Sequence, residues 1–476
     1  MLAGGLAPAQ ATPQTTTCTR ARPATSVATA VASDPRRKPC RGKRRRHRGI
    51  GQGVALTPPL PEPVGNPPTI AEDIAASPIT SQPPPLEPPP TEEPPAEEEE
   101  PPSEEEPPPE EEEPPSEEEE PPVEEEPWEQ PAEEPPSACT ATFTTLPEAV
   151  SAVSAAEDSA VICLADGSYG KANLSASPGG RVTMRAEHPG EATISGASLD
   201  GQDLTLERFT VDGEVEIQPG ADGMTVAHNR IIGGGEGVNG CPSTTVTCDD
   251  MKIVGNELIG PFGEDAIHLN RYHDGDGDGV GVLVEGNEIT GVRENGSHSD
   301  CLQTVWVGDH IVFRRNYLHD NRCQGFFVKD QASPVVGITV EDNLFLRNKE
   351  PCGPPLTECG QPIYFQVFGP YSGFTMKRNT IWGNGSESIA AFREGTGSDT
   401  VISNNVIYRL WTDTDMSGVT LSENTLCKRE GSWPSSRPGE TIACSLSFVN
   451  TAQDDYRLSG SDRGVDWAPA EVHFGP

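Results

Sequence analysis

The sequence predicts an all-β fold, a parallel β-helix in which the chain winds through stacked coils of about three short strands, preceded by a long disordered N-terminal region. Three observations lead there. Residues 138–476 carry an internal repeat centred on asparagine. The units of that repeat are short, β-branched and alternating, with no helical 3.6 period. The first 137 residues are instead so rich in Pro and Glu that they cannot bury enough apolar surface to offset the entropy of ordering.

The 476 residues carry a net charge of −40, with 49 Gly, 49 Pro, 34% hydrophobic residues and 5% aromatics. Residues 1–137 hold 28 acids and 11 bases, so the tail contributes −17 and the body −23. Residues 1–57 read as a disordered, basic segment, with a block from Arg41 to Arg48 and no clear apolar core of a secretory signal. Residues 58–137 alternate Pro-Pro with runs of Glu, a self-repelling, polyproline-like low-complexity spacer. Residues 138–476 form the folded domain. No run approaches the roughly 20 apolar residues of a membrane span, so no transmembrane segment is expected. The acidic balance excludes a nucleic-acid surface. A monomer is the expected state.

In the body, apolar-x-x-Asn-x-apolar recurs eight times, around Asn229, Asn256, Asn287, Asn316, Asn343, Asn379, Asn405 and Asn424. The asparagines are 27, 31, 29, 27, 36, 26 and 19 residues apart. Units of this length satisfy their backbone groups by stacking coil on coil at about 4.8 Å around an apolar column. Each asparagine is expected at a sharp bend, tolerating the left-handed region and bonding the coils above and below. Leu146–Ala156 is expected to cap the first coil, because an uncovered coil end is an open sheet edge. Ten of the 12 cysteines lie in the body and no Cys-x-x-Cys occurs. Taken in order they form neighbours: Cys139/Cys163, Cys241/Cys248, Cys301/Cys323, Cys352/Cys359 and Cys427/Cys444. Local disulfides in an oxidising compartment and buried free thiols both fit that pattern.

With these repeats, an opening Val161-Ile162-Cys163-Leu164-Ala165-Asp166-Gly167-Ser168-Tyr169 and a close on Phe448-Val449-Asn450 then Asp455-Tyr456-Arg457-Leu458, residues 140–476 resemble the right-handed parallel β-helix proteins of the pectate-lyase-like superfamily. That resemblance implies an extracellular, carbohydrate-related role, often that of a polysaccharide lyase or glycoside hydrolase. Two narrower signatures are absent: the Gly-His-Gly of polygalacturonases and the Arg-x-Pro-x-x-Arg of the commonest pectate lyases.

In stacked coils, outward residues of one face align vertically. Rows 265–270, 300–305, 324–329, 361–366 and 387–392 are aligned on this basis, and five rows span about 19 Å. Within them His298, Asp300, Lys329 and Arg393 are the catalytic candidates: an imidazole and a carboxylate for acid/base work, and two cations to neutralise a uronate. Asp330 and Glu394 sit beside the cations. His268, Gln303, Tyr364 and Gln366 are the substrate-binding candidates. Asp274, Asp276 and Asp278, alternating with glycine, and Glu285 have the spacing of a Ca²⁺ loop without its flanking helices. Solvated turns and surface ion pairs would satisfy the same letters. The leading expectation is an exported enzyme cleaving an extended polysaccharide. The alternative is a non-catalytic glycan-binding or adhesive module displayed on the Pro/Glu stalk.

Overall fold

The computed structural model describes residues 138–293, 299–305, 308–321, 323–330, 335–346, 363–367, 371–383, 388–393 and 397–476. The basic tail and the spacer lie outside these residues, as do His298, Glu394, Cys352 and Cys359.

The body is a right-handed parallel β-helix. Its strands form three ladders, one per face, because each turn of chain returns to pair in parallel with the turn before it. The first ladder begins with Ala141–Phe143 and Ala160–Leu164 and ends at Thr420–Ser422. Its inward column is Ile162, Met184, Leu206, Val226, Ile253, Val284, Phe313, Val340, Met376, Ile402 and Leu421, in unbroken register. The second ladder has the column Ile194, Val211, Ile231, Leu258, Ile289, Leu318, Phe345, Ile381, Ile407 and Leu426. Both columns are buried, each side chain contributing about 1.5–3 kcal/mol of hydrophobic stabilisation. The third ladder runs from Ala172–Ala176 through the long strand Val406–Asp415 to Thr425–Ser432 and carries the site described below.

All eight repeat asparagines are fully buried. From Asn229 to Asn405, the backbone N–H and Nδ2 of each donate to Oδ1 of the asparagine one coil further on, at 2.9–3.1 Å. Nδ2 also donates to a carbonyl of the preceding coil, as Asn316 does to Val284 at 2.9 Å. The expected left-handed conformation falls one residue earlier than predicted. It belongs to His228, Gly255, Gly286, Arg315, Asp342, Arg378, Asn404 and Glu423. The preceding residue turns the chain and leaves the asparagine amide aimed along the axis.

The helix Leu146–Ala155 buries Ala149 and Val153 over the first coil. At the other end, Phe448–Asn450 and Asp455–Leu458 form an antiparallel pair. The last residues then lace back along the solenoid: Gly464 N–H donates to Asn404 O at 2.7 Å, Trp467 Nε1–H to Asp342 O at 2.9 Å, and Gly475 N–H to Gly255 O at 2.9 Å. Val465 and Trp467 join Tyr317, Leu344 and Tyr456 in a second apolar cluster. Among the described residues four disulfides close local loops, Cys139–Cys163, Cys241–Cys248, Cys301–Cys323 and Cys427–Cys444.

Candidate active site

On the third ladder one register column reads Ser198, Glu216, Asn239, His268, Gln303, Phe327, Tyr364, Ala391 and Trp411, with Phe327 and Ala391 buried. Rows 265–270, 300–305 and 324–329 and the described part of the fourth, 363–366, fall in the aligned register. The fifth is displaced by one residue, since Ile363 pairs with Ala390.

Three residues before this column, on three successive coils, stands an acid: Glu236 before Asn239, Asp265 before His268, and Asp300 before Gln303. The corner that carries them is tight. Backbone N–H groups of Gly237 and Ala266 donate to the carbonyls of Asp265 and Asp300. Glycine is required at 237, where a Cβ would lie 2.5 Å from the Ala266 carbonyl oxygen. Gly233 and Gly234 have positive φ, so the Gly-Gly-Gly-Glu-Gly turn folds Glu236 inward rather than into water.

The His268 ring centres the cluster. Its Nδ1 lies 2.8 Å from Asp265 Oδ2 and 3.3 Å from Glu236 Oε1. Asp265 Oδ1 accepts the Asp300 N–H at 2.7 Å, fixing that carboxylate across two coils. Gln303 Nε2 in turn donates to Asp300 Oδ2 at 2.7 Å. Glu236 is 9% exposed, and its Oε2 meets no donor among the described residues. Burial, reinforced by the charges of Asp265, Glu214 and Glu264 against the pull of His268, pushes its carboxyl up to about 7. Burial alone would lower His268. Its hydrogen bond with Asp265 and the charge of Glu236 outweigh that and hold the imidazole above its ordinary value. A carboxyl pushed up to about 7 thus lies in contact with an imidazole raised above its ordinary value, an arrangement suited to general acid/base work.

The sequence-based candidates divide. Asp300, Gln303 and His268 belong to this cluster, with Asp300 fully buried. Lys329, Gln366 and Arg393 share one register column, which continues from Asn270 and Val305. Tyr364 stands in the His268 column. Arg393 is three coils beyond Asp300, about 14 Å along the axis. Its Nε bonds Asp413 at 3.0 Å, and its guanidinium lies 5.7 Å from the Trp411 ring centre. Asp300 and Arg393 thus do not share one constellation, and His298 lies outside the described residues. Glu236 and Asp265 were missed as functional residues; the acid-x-x-polar spacing on successive coils was the available signal.

The expected calcium set also divides. Asp274 and Asp276 gather with Asp250, their carboxylate atoms within 4.8 Å of one another. Asp274 accepts the N–H groups of Gly277 and Gly279, and Asp278 that of Val280. Glu285 is elsewhere: it ends a first-ladder strand opposite Arg314, which holds it through two bonds at 2.9 and 3.1 Å. Burial, with the neighbouring carboxylates adding to it, raises Asp222 and Asp250 above the usual range. The all-oxygen set Asp250, Asp274 and Asp276 suits a hard cation. Glu236, Asp265 and His268 also lie within 4.8 Å of one another. There Nδ1 faces both carboxylates and donates to them when it carries the proton.

No family model and no curated protein matches this sequence. Among solved structures it is similar to a PL6-family polysaccharide lyase from Pseudopedobacter saltans, at 10% identity and a TM-score of 0.35 over 69% of this chain and 100% of that one. It is similar also to the PL6-family alginate lyase AlyGC, at 12% identity and a TM-score of 0.34 over 70% of this chain and 58% of the other. A mannuronic-acid-specific family 6 lyase from human gut microbiota matches at 14% identity and a TM-score of 0.26, over 64% and 83% of the two chains.

Proposed function

We propose that the body binds an extended polysaccharide along the third ladder and cleaves it by proton transfer at Glu236 and His268. One observation carries this reading: the buried Glu236 carboxyl, pushed up to about 7, lies 3.3 Å from the His268 imidazole, itself raised above its ordinary value, at a corner of the third ladder. β-Elimination of a uronan needs one group to take the proton beside the uronate carboxylate and another to return a proton to the departing glycosidic oxygen. The C–O bond breaks and a C=C bond forms, with no net change in protons. Glu236 and His268 lie 3.3 Å apart, close enough to pass a proton between them, and Asp265 holds the imidazole in place. Asp300 and Gln303 extend the hydrogen-bonding surface by one coil.

Ca²⁺ is proposed at Asp250, Asp274 and Asp276 rather than with Glu285, where it would neutralise crowded carboxylates; the site is structural in this reading. Disulfides among the described residues favour an extracellular setting. No helix among the described residues is long and apolar enough to cross a membrane.

The test is incubation with alginate, pectate and glycosaminoglycans, with and without chelator, following unsaturated-uronate absorbance and reducing ends. Glu236→Gln and His268→Ala are each expected to reduce turnover about 10²-fold or more. Binding without product from any polymer would favour the adhesive module instead. Turnover untouched by both substitutions would remove the reading.

A further inference from the structure

The two directions along the third ladder away from His268 differ. Toward the last coil its register column meets the buried Phe327 and Ala391. Toward the first coil it continues through Asn239, Glu216 and Ser198 to Asn173, all polar side chains with access to solvent, over four coils and about 19 Å.

The half toward the first coil is rich in acceptors. Glu214 Oε1 accepts from Asn239 Nδ2 at 3.1 Å. Its Oε2 would lie 3.4 Å from a Cβ placed on Gly235, which sets Glu214 beside the glycine turn that carries Glu236. Glu236 is nine-tenths buried, and neither its Oε2 nor Oδ1 of Asn239 meets a donor among the described residues. Lys171 reaches Glu216 at 3.5 Å, with both side chains partly exposed, and His268 is already engaged by Asp265 and Glu236. The carboxylates of Glu214, Glu216, Glu236 and Asp265 thus leave an excess of negative charge around these two cations.

A uronate unit laid beside Glu214 would add one more carboxylate to that excess. An ammonium group brings charge of the opposite sign together with three N–H donors, to a corner that is short of both. A glycan presents an ammonium as the unsubstituted 2-amino group of a hexosamine. We propose that the polymer unit beside the scissile bond on the first-coil side, over Glu214, Asn239 and Glu216, is a hexosamine with a free amino group. The substrate is then a mixed uronate–hexosamine polymer rather than a polyuronate. The inference rests on the reading of Glu236 and His268 as the cleavage site and names the substrate class of that site.

Calorimetry of the full chain with three saturated tetrasaccharides is the test: uronate–hexosamine with free amines, the same compound N-acetylated, and an all-uronate compound. The first is expected to bind about tenfold more tightly than the second, and the third most weakly. Glu214→Gln and Asn239→Leu should each bring the ratio of the first two close to one, the N-acetylated affinity of each variant serving as its own reference. Glu216→Gln, at a partly exposed position, should lower the ratio and gives an independent reading where circular dichroism shows that another variant has lost its fold. His268→Ala should lose turnover and keep the ratio, which separates binding from cleavage during the titration. The ratio should also persist in chelator. A wild-type ratio of one, a ratio that survives all three of the other substitutions, or one that appears only with added Ca²⁺ overturns the subsite. Amine preference without product from any polymer would sink the catalytic reading and leave the subsite standing; product from an all-uronate polymer with no amine preference would do the reverse.

Discussion

Glu236 shows how one side chain exchanges stability for a usable proton. Its ordinary pKa is 4.5 and burial pushes it up to about 7, so between these values the folded state holds a proton that the unfolded chain has lost. Stability is therefore full below about pH 4.5 and declines as pH rises through 7, because the ionised carboxylate is then trapped without solvent. Glu236→Gln removes that liability. The variant should gain on the wild type as pH rises, by on the order of 3 kcal/mol above the folded pKa. Urea midpoints of both proteins on either side of neutrality measure it; a constant difference across that range would contradict the assignment. Asp265 and Asp300 stay useful for another reason: each carboxylate accepts a hydrogen bond from the coil's own architecture.

At the scale of the element, the asparagine column is the part of the fold most visible in the letters. Asn287, Asn316 and Asn343 recur at nearly even spacing, and the structure joins them in one chain of amide bonds. Asn316→Ala would leave the buried N–H of Asn287 without its side-chain acceptor and remove the bonds from Asn287 Nδ2 to Asn316 and from Asn316 to the Val284 carbonyl. The expected loss is about 3 kcal/mol, seen as a lower denaturant midpoint with unchanged slope. A loss below about 1 kcal/mol would mean that water replaces the amide, against its complete burial. The left-handed residue was misplaced by one because spacing reveals a bend but not which residue turns it. Arg315, Asp342 and Arg378 occupy that position despite their side chains. Neighbours there compensate: Arg378 holds Asp342 through two bonds at 2.7 and 2.8 Å.

Across the whole molecule, coils contact mainly their neighbours, so anything that ties distant coils together has a large effect on cooperativity. The C-terminal lace does so, reaching from Asn404 to Gly255 through Gly464, Trp467 and Gly475. Trp467 is 4% exposed beneath it. Trp467→Ala should cost about 3–5 kcal/mol and lower the melting temperature while the β signature in circular dichroism persists. A melting temperature equal to that of the wild type would show that the lace carries no stability.

By itself the sequence determined the solenoid and the vertical register of its outward rows to within a residue or two, which set His268 and Gln303 on adjacent coils. These follow from periodic chemistry: a repeated amide and repeated apolar positions force neighbouring coils into one alignment, whatever fills the loops. Tertiary structure alone decided that Glu236 is buried against His268, that Glu285 is held by Arg314 and leaves the acidic loop, and that Arg393 belongs with Trp411 rather than Asp300. Each depends on which side chains from separate coils share a corner and how much water remains there. A carboxylate's partners and its proton affinity are set by that environment, and no spacing along the chain encodes it.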